Sequence, residues 1–428
     1  MRANILSVGN ELVTGQVIDT NAAHIAGMLA RHGVAVAEHC TVNDEVAPIR
    51  DAIVRLAGQC EVLVVTGGLG PTRDDLTRQG LAEAMGVDLF TDPQCLRDIE
   101  EHFRRRGWPM AESNRRQALM PRGAEALRNA VGTAPGMAAR VGGCQVFVLP
   151  GVPGEMRHML AEHVEPRLPG GGAVIVHRSV HTFGLGESGV GAKIADLMDR
   201  DANPTVGTTA SAGMVSIRIT ARGDGAEHAE ALAGGVIDEV TARLGELVVG
   251  ADDQTMGAVV GRLLVERGAT LAAAESCTGG LIGKMVTDVP GSSRYFLGGV
   301  VAYSNAVKQS LLGVPPELID AHGAVSEPVA AAMAEGVRRS LGSDYGLAVT
   351  GIAGPDGGSE EKPIGTVCVA LAGPGFGDLP PGQAGLSPAA GSQTHTVRLG
   401  GDREAVRLRA ALNAMNMLRL ELLRCREQ

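Results

Sequence analysis

The stretch EVLVVTGGLGPTRDDLT, residues 61–77, decides the architecture of the first part of the chain. Val62 to Val65 form an unbroken apolar run of strand length. Gly67, Gly68 and Gly70 end that run before a polar, helix-forming pattern begins. Working outward, ANILSVG (3–9) reads as a second strand, NAAHIAGMLARHG (21–33) as a helix, and CQVFVLPGVPGEM (144–156) as a further strand followed by a Pro/Gly turn. Strands alternating with helices in this way predict an α/β domain with a mostly parallel sheet over residues 1–168. PGGG at 169–172 interrupts the pattern as a linker does.

Beyond the linker the period changes. GMVSIRITARGD (213–224) alternates apolar and polar residues, and AEHAEALAGGVIDEVTARLG (226–245) follows as an amphipathic helix, so 169–253 reads as a small α+β module. A helix, a strand and a Gly-rich turn open a third region at ADDQTMGAVVGRLLVERGATLAAAESCTGG (251–280). It closes with the helical pattern DREAVRLRAALNAMNMLRLELL (402–423). The expected fold class is therefore α/β, with two α/β sheet domains, 1–168 and 254–428, flanking the α+β module. GPGFGDLPPGQAGLSPAAGS (373–392) is expected to be a mobile loop within the third domain.

Composition narrows the function. The 428 residues are 44% apolar and 20% charged, with a formal net charge of −10, which suits a globular chain and argues against a nucleic-acid coat or an anionic membrane surface as partner. The seven cysteines are scattered and contain no C-x-x-C pair, as expected of core thiols in a reducing compartment. The start MRANILSVGNEL reads as a strand and not a signal peptide, and no apolar run reaches the ~18 residues of a membrane span, so a cytoplasmic location is expected.

The first candidate site gathers at predicted strand ends, where open α/β sheets bind ligands. Gly67, Gly68 and Gly70 can let backbone N–H groups approach a phosphate, with Thr72, Asp74 and Asp75 beside them. One of those aspartates can serve as a helix N-cap instead; both cannot. GNELVTGQVIDTN (9–21) adds Asp19 and Asn21, and LPGVPGEM (149–156) adds Glu155. Carboxylates converging on a glycine pocket suggest a divalent metal bridging Asp19, Asp75 and Glu155 to a pyrophosphate, since hard cations take oxygen ligands.

The second candidate site is carried by scarce residues. The chain has 34 arginines but four lysines, and three of the lysines (Lys284, Lys308, Lys362) lie in the third region with all three tyrosines, Tyr295, Tyr303 and Tyr345. Arginine cannot release its proton at usable pH, so a lysine kept among arginines suggests a task that needs deprotonation. Ser276 follows a strand at the turn SCTGG, where a hydroxyl meets the N-terminus of a helix. Ser276 as nucleophile, Lys308 as a base whose pKa falls on burial, and Tyr303 as proton relay form a hydrolytic set. Cys277 is the rival nucleophile and a helix cap the alternative role for Ser276. Val307 at the position four after Tyr303 excludes a Y-x-x-x-K dehydrogenase pair, and no G-x-G-x-x-G follows the relevant strand.

GNELVTGQVIDTN, TGGLGPTRDDLT and LPGVPGEM resemble the molybdopterin-binding-like domain of the competence/damage-inducible CinA family. AESCTGG, PGSS, YSNAVK, GAVSEPVA, AVTGIAGPDGG and GDREAVR, in that order, resemble the family's C-terminal nicotinamide mononucleotide deamidase domain. The resemblance implies carboxamide hydrolysis with release of ammonia, using Ser276, Tyr303 and Lys308 and no cofactor. Thr278, Gly279, Gly280 and Ser293 would hold substrate, Gly351 and Gly354 would shape the pocket wall, and Arg403 would clamp the phosphate. For the N-terminal domain it implies metal-dependent cleavage of ADP-ribose, or pterin binding in relatives of that fold. The middle region is similar to a KH-type domain, with Gly186-Glu187-Ser188-Gly189 as its GxxG. Its residues 176–250 nevertheless carry ten acidic and six basic side chains, the wrong balance for an RNA clamp. An interdomain or dimer-contact role is expected of it, in a homodimer that binds small nucleotides. The competing expectation is a non-enzymatic scaffold that binds a nucleotide, a pterin or nucleic acid in competence or damage responses.

Overall fold

A computed structural model describes residues 1–168, 174–374 and 392–424. The linker expected at 169–172 and nearly all of the loop expected at 373–392 lie outside the described residues. The chain folds as two compact units, Met1–His177 with Thr220–Val236, and Arg178–Ile219 with Ile237–Gln428. The two units thus share the residues of the middle region.

In the first unit six strands form one sheet: β1 (Arg2–Val8), β2 (Ala35–Val42), β3 (Val62–Thr66), β6 (Glu125–Leu127), β7 (Gly136–Val141) and β8 (Cys144–Leu149), in the order β2-β1-β3-β8-β7-β6. The first four positions are parallel, and β7 and β6 continue the sheet antiparallel. A separate antiparallel pair joins β4 (Leu89–Thr91) to β5 (Leu119–Pro121). The apolar run 62–65 is buried on both faces: Leu63 and Val65 pack into one core cluster, Val62 and Val64 into the other. Because β1 has β2 on one side and β3 on the other, the chain reverses direction across the sheet there, and a crevice opens at the carboxyl ends of these strands.

The middle region is a four-stranded sheet of β9 (Val174–Phe183), β10 (Thr205–Ser211), β11 (Met214–Gly223) and β12 (Val248–Ala251), in the order β10-β11-β9-β12. The C-terminal sheet repeats the logic of the first. Its strands β13 (Leu271–Glu275), β14 (Phe296–Val301), β15 (Tyr345–Gly351), β16 (Thr366–Ala372) and β17 (Ser392–Arg398) lie in the order β14-β13-β15-β16-β17. β13 is parallel to both neighbours, and the last two strands are antiparallel. Leu271 and Ala273 face one core, Ala272 and Ala274 the other. β13 is again the strand at which the order reverses, so Ser276, at its carboxyl end, sits at the second crevice. Among the described residues, no helix is long and apolar enough to cross a membrane.

Candidate functional site

At the first crevice a cavity of about 300 Å³ is lined by Gly9 after β1, Asp44 after β2, Thr66 to Gly68 at the end of β3, and Gly151 after β8. Gly67 is required there: its φ is +104° and a Cβ would lie 2.1 Å from the Val8 carbonyl oxygen. Asn21, Thr72, Asp74 and Asp75 reach the cavity as expected from the sequence, while Gly70 does not line it. The helix after the glycine loop begins only at Thr77, with Leu76 as its cap, so neither aspartate is an N-cap. Asp75 instead closes the loop, accepting from the Gly70 and Thr72 amides at 2.7 Å each and from the Thr72 hydroxyl. Arg78, a residue the sequence did not single out, braces the same loop from beneath. Its buried guanidinium donates to the Leu69 carbonyl at 2.7 Å, and burial lowers its pKa to about 10.

The expected metal trio is not assembled. Asp19 caps the helix Thr20–Arg31 by accepting from Ala22 N at 2.9 Å and also takes the Ser7 hydroxyl. Glu155 points away from the cavity, accepts from Asn129 Nδ2 at 2.6 Å and lies against Gly132. Among the described residues, no three His, Cys, Asp or Glu side chains are arranged to hold a metal ion. The carboxylates that do face the cavity are Glu11, Asp19, Asp44, Asp74 and Asp75, and none of the described lining residues is Lys, Arg or His. Burial raises the Asp44 pKa, the Asn10 amide opposes this, and the charges of Glu11, Asp74 and Asp75 add to the rise. A bare pyrophosphate would meet only repulsion from these side chains.

At the second crevice a cavity of about 280 Å³ contains Ser276, Lys308, Tyr303, Gly351, Gly354 and Arg403 together. Lys308, on the helix Asn305–Leu312 that Ser304 caps, is 2% exposed. Its Nζ donates to Ser276 Oγ at 3.1 Å and to the Ala302 carbonyl at 2.9 Å. Both partners are neutral, and burial lowers the lysine pKa, with the charge of Cys277 acting in the opposite direction. Ser276 lies in the turn between β13 and the helix Leu281–Thr287, whose cap is Gly280, so the serine is not a cap. The rival nucleophile is disfavoured: Cys277 is buried and its thiol is pushed up to about 12.

Other expected positions depart from the site. Thr278 is fully buried and, like Gly279 and Gly280, does not line the cavity. The Gly280, Ile282 and Gly283 amides donate to the Glu275 carboxylate at 3.0, 3.1 and 2.8 Å, so this helix end is already occupied by an anion of the protein. Ser293 is exposed, in a short turn outside the cavity. Tyr303 is 61% exposed at the rim, and its hydroxyl accepts from Arg403 Nη2 at 2.8 Å, with no hydrogen bond to Ser276 or Lys308. Arg403 Nη1 donates to the Gly354 carbonyl, which ties the Gly351–Gly358 wall to the rim. Asn305, Thr350 and Asp356 also line the cavity and were not anticipated.

A larger cavity of about 690 Å³ lies between the helix Pro93–Arg105 and residues 126–135. Among its lining charges Glu101 pairs with Arg105, and the Cys95 thiol that also lines it is pushed up to about 12 by burial and by the neighbouring Asp92.

Comparison with known proteins matches all three regions. Residues 4–170 match the family described as "Probable molybdopterin binding domain", 177–250 the "Damage-inducible protein CinA KH domain", and 253–422 the "CinA C-terminal domain". A CinA-like protein of Synechococcus sp. is 45% identical over 423 residues, covering 98% of each chain. One of Gloeobacter violaceus is 44% identical over 427 residues, covering 98% of this chain and 96% of its own. A solved structure of a protein CinA of unknown function from Thermoplasma acidophilum is 36% identical. It covers 39% of this chain and 96% of that one, with a TM-score of 0.36. From end to end, with a mixed α/β fold and a KH-like middle domain, the chain belongs to the CinA family.

Proposed function

We propose that the C-terminal cavity hydrolyses the carboxamide of nicotinamide mononucleotide to a carboxylate and ammonia. The observation that carries this reading is the 3.1 Å contact between Ser276 Oγ and the buried Lys308, whose Nζ donates to two neutral groups. Neutral Lys308 accepts the Ser276 proton as Oγ attacks the carboxamide carbon. The resulting ammonium returns that proton to the amide nitrogen, the C–N bond breaks and ammonia leaves an ester on Ser276. Water then attacks the ester carbon, giving one proton to Lys308, which passes it back to Ser276 Oγ as the C–O bond breaks; the acid released loses its remaining proton to solvent and leaves as the carboxylate. Tyr303 and Arg403 act at the rim in this scheme: their mutual hydrogen bond holds Arg403 where a substrate phosphate enters. The scheme routes no proton through the Tyr303 hydroxyl, which hydrogen-bonds to Arg403 and to neither Ser276 nor Lys308.

The proposal does not extend to a metal-dependent pyrophosphatase built on Asp19, Asp75 and Glu155, because Glu155 is turned to Asn129, outside the cavity that Asp19 and Asp75 line. The N-terminal cavity, walled by carboxylates, suits a ligand that brings positive charge with it. Ammonia release from nicotinamide mononucleotide by the purified chain, with nicotinic acid mononucleotide as co-product, tests the C-terminal reading. A chain that releases none refutes it.

A further inference from the structure

The turn that carries Ser276 is held from two sides by residues that do not touch the cavity. Glu275, the last residue of β13, is 3% exposed. One oxygen of its carboxylate accepts from Gly280 N and Ile282 N, the other from Gly283 N. These are amides that the start of a helix leaves without intrahelical partners. From the opposite side Arg407, on the C-terminal helix Arg403–Arg424, donates Nε to the Cys277 carbonyl at 3.2 Å and Nη2 to the Thr278 carbonyl at 2.8 Å. The donors of the turn are thus satisfied by an anion and its acceptors by a cation. Gly279 lets them close in: its φ is +61° and a Cβ would stand 3.2 Å from Arg407 Nη2.

The Glu275 main chain reaches the other half of the dyad. Its carbonyl accepts from Ala302 N at 2.7 Å, and the Ala302 carbonyl in turn accepts from Lys308 Nζ. Nucleophile and base are therefore both anchored to one residue, through its side chain on one side and its backbone on the other.

We propose that Glu275 and Arg407 are positioning residues that hold Ser276 Oγ within reach of Lys308 Nζ. This rests on the amidohydrolase reading of the same site. In Glu275→Gln the side-chain amide presents N–H donors where one carboxylate oxygen accepted, so at least one backbone amide loses its partner and the turn relaxes. Arg407→Ala frees both carbonyls, and Arg407→Lys restores a donor to one of them.

The test is steady-state ammonia release from nicotinamide mononucleotide by the full chain, with thermal unfolding followed in parallel. The variants are Ser276→Ala, Glu275→Gln, Arg407→Ala and Arg407→Lys. Misplacement of a reacting atom by about 1 Å costs on the order of 10²-fold, so kcat is expected to fall by about that factor in Glu275→Gln and Arg407→Ala while KM stays close to wild type. Arg407→Lys recovers part of the loss. If Glu275→Gln does not fold, the half-buried Arg407 carries the test. Wild-type kcat in Arg407→Ala overturns the proposal, as does a rise in KM at unchanged kcat, or a loss that Arg407→Lys does not relieve. An inactive Ser276→Ala beside a fully active Glu275→Gln removes the positioning role and leaves the hydrolytic reading standing. An active Ser276→Ala removes both.

Discussion

Lys308→Arg separates a base from a structural cation. Lysine is 2% exposed at this position, with Nζ 3.1 Å from Ser276 Oγ and 2.9 Å from the Ala302 carbonyl. Arginine keeps the charge and can donate to both oxygens, yet cannot become neutral at any pH the enzyme survives. General-base assistance is typically worth ~10²–10⁴ in rate, about 3–5 kcal/mol of barrier, and turnover should fall by that factor. The cavity wall at Gly351–Gly357 and Arg403, proposed to hold the nucleotide, is untouched, so KM should change little. The pH profile sharpens the expectation. Burial lowers the lysine pKa below its ordinary 10.5, so wild-type kcat/KM should rise with pH along a limb whose apparent pKa lies below 10.5. Lys308→Arg should lack that limb. The same shift makes stability pH-dependent: below the folded pKa the fold bears a buried charge, and between the folded pKa and 10.5 the unfolded chain binds more protons, so stability rises with pH across that window. Lys308→Met should lose this dependence. Ammonia release and chemical denaturation across pH 6–10 read both effects. Near-normal turnover in Lys308→Arg, with the limb intact, would refute the base assignment.

Cys277→Ala should keep turnover within about threefold of wild type, because a thiol held near pKa 12 supplies almost no thiolate at neutral pH; a loss like that of a missing nucleophile would contradict this. Asp75→Ala should lower the unfolding temperature of the N-terminal unit by freeing the Gly70 and Thr72 amides, at a cost of about 1–3 kcal/mol, while ammonia release is unchanged; an unchanged unfolding temperature would mean that the loop does not depend on Asp75. Tyr303→Phe removes the acceptor for Arg403 and should raise KM more than it lowers kcat, whereas a kcat loss at constant KM would restore the proton relay to Tyr303.

The sheet layout was legible because buried parallel strands write themselves as short apolar runs ended by glycine, as Val62 to Val65 do before Gly67. Lys308 was legible for a different reason: in a chain that uses arginine almost throughout, a lysine stands out, and its burial follows from the helix that Ser304 caps. The partners of main-chain groups were not legible. Asp75 follows a glycine loop in the sequence much as a metal ligand would, yet its oxygens are spent on the amides of that loop. Glu155 lies three residues from Val152 and yet its side chain turns to Asn129, a long-range contact that no local pattern encodes. The turn after Ser276 misled in the same way. A helix start promises free amides, and here a carboxylate from the preceding strand, Glu275, already takes them. A glutamate directly before the turn was the available signal; without its orientation it reads as an ordinary strand end.

The central claim is that Ser276 and Lys308 perform carboxamide hydrolysis, and the most direct measurement is ammonia release from saturating nicotinamide mononucleotide by wild type and Ser276→Ala in the presence of chelator. The account predicts undiminished turnover in wild type, since nucleophile and base are both side chains of this chain, and a loss of at least ~10³-fold in Ser276→Ala. Substantial turnover without the serine hydroxyl, or none in wild type, would contradict it.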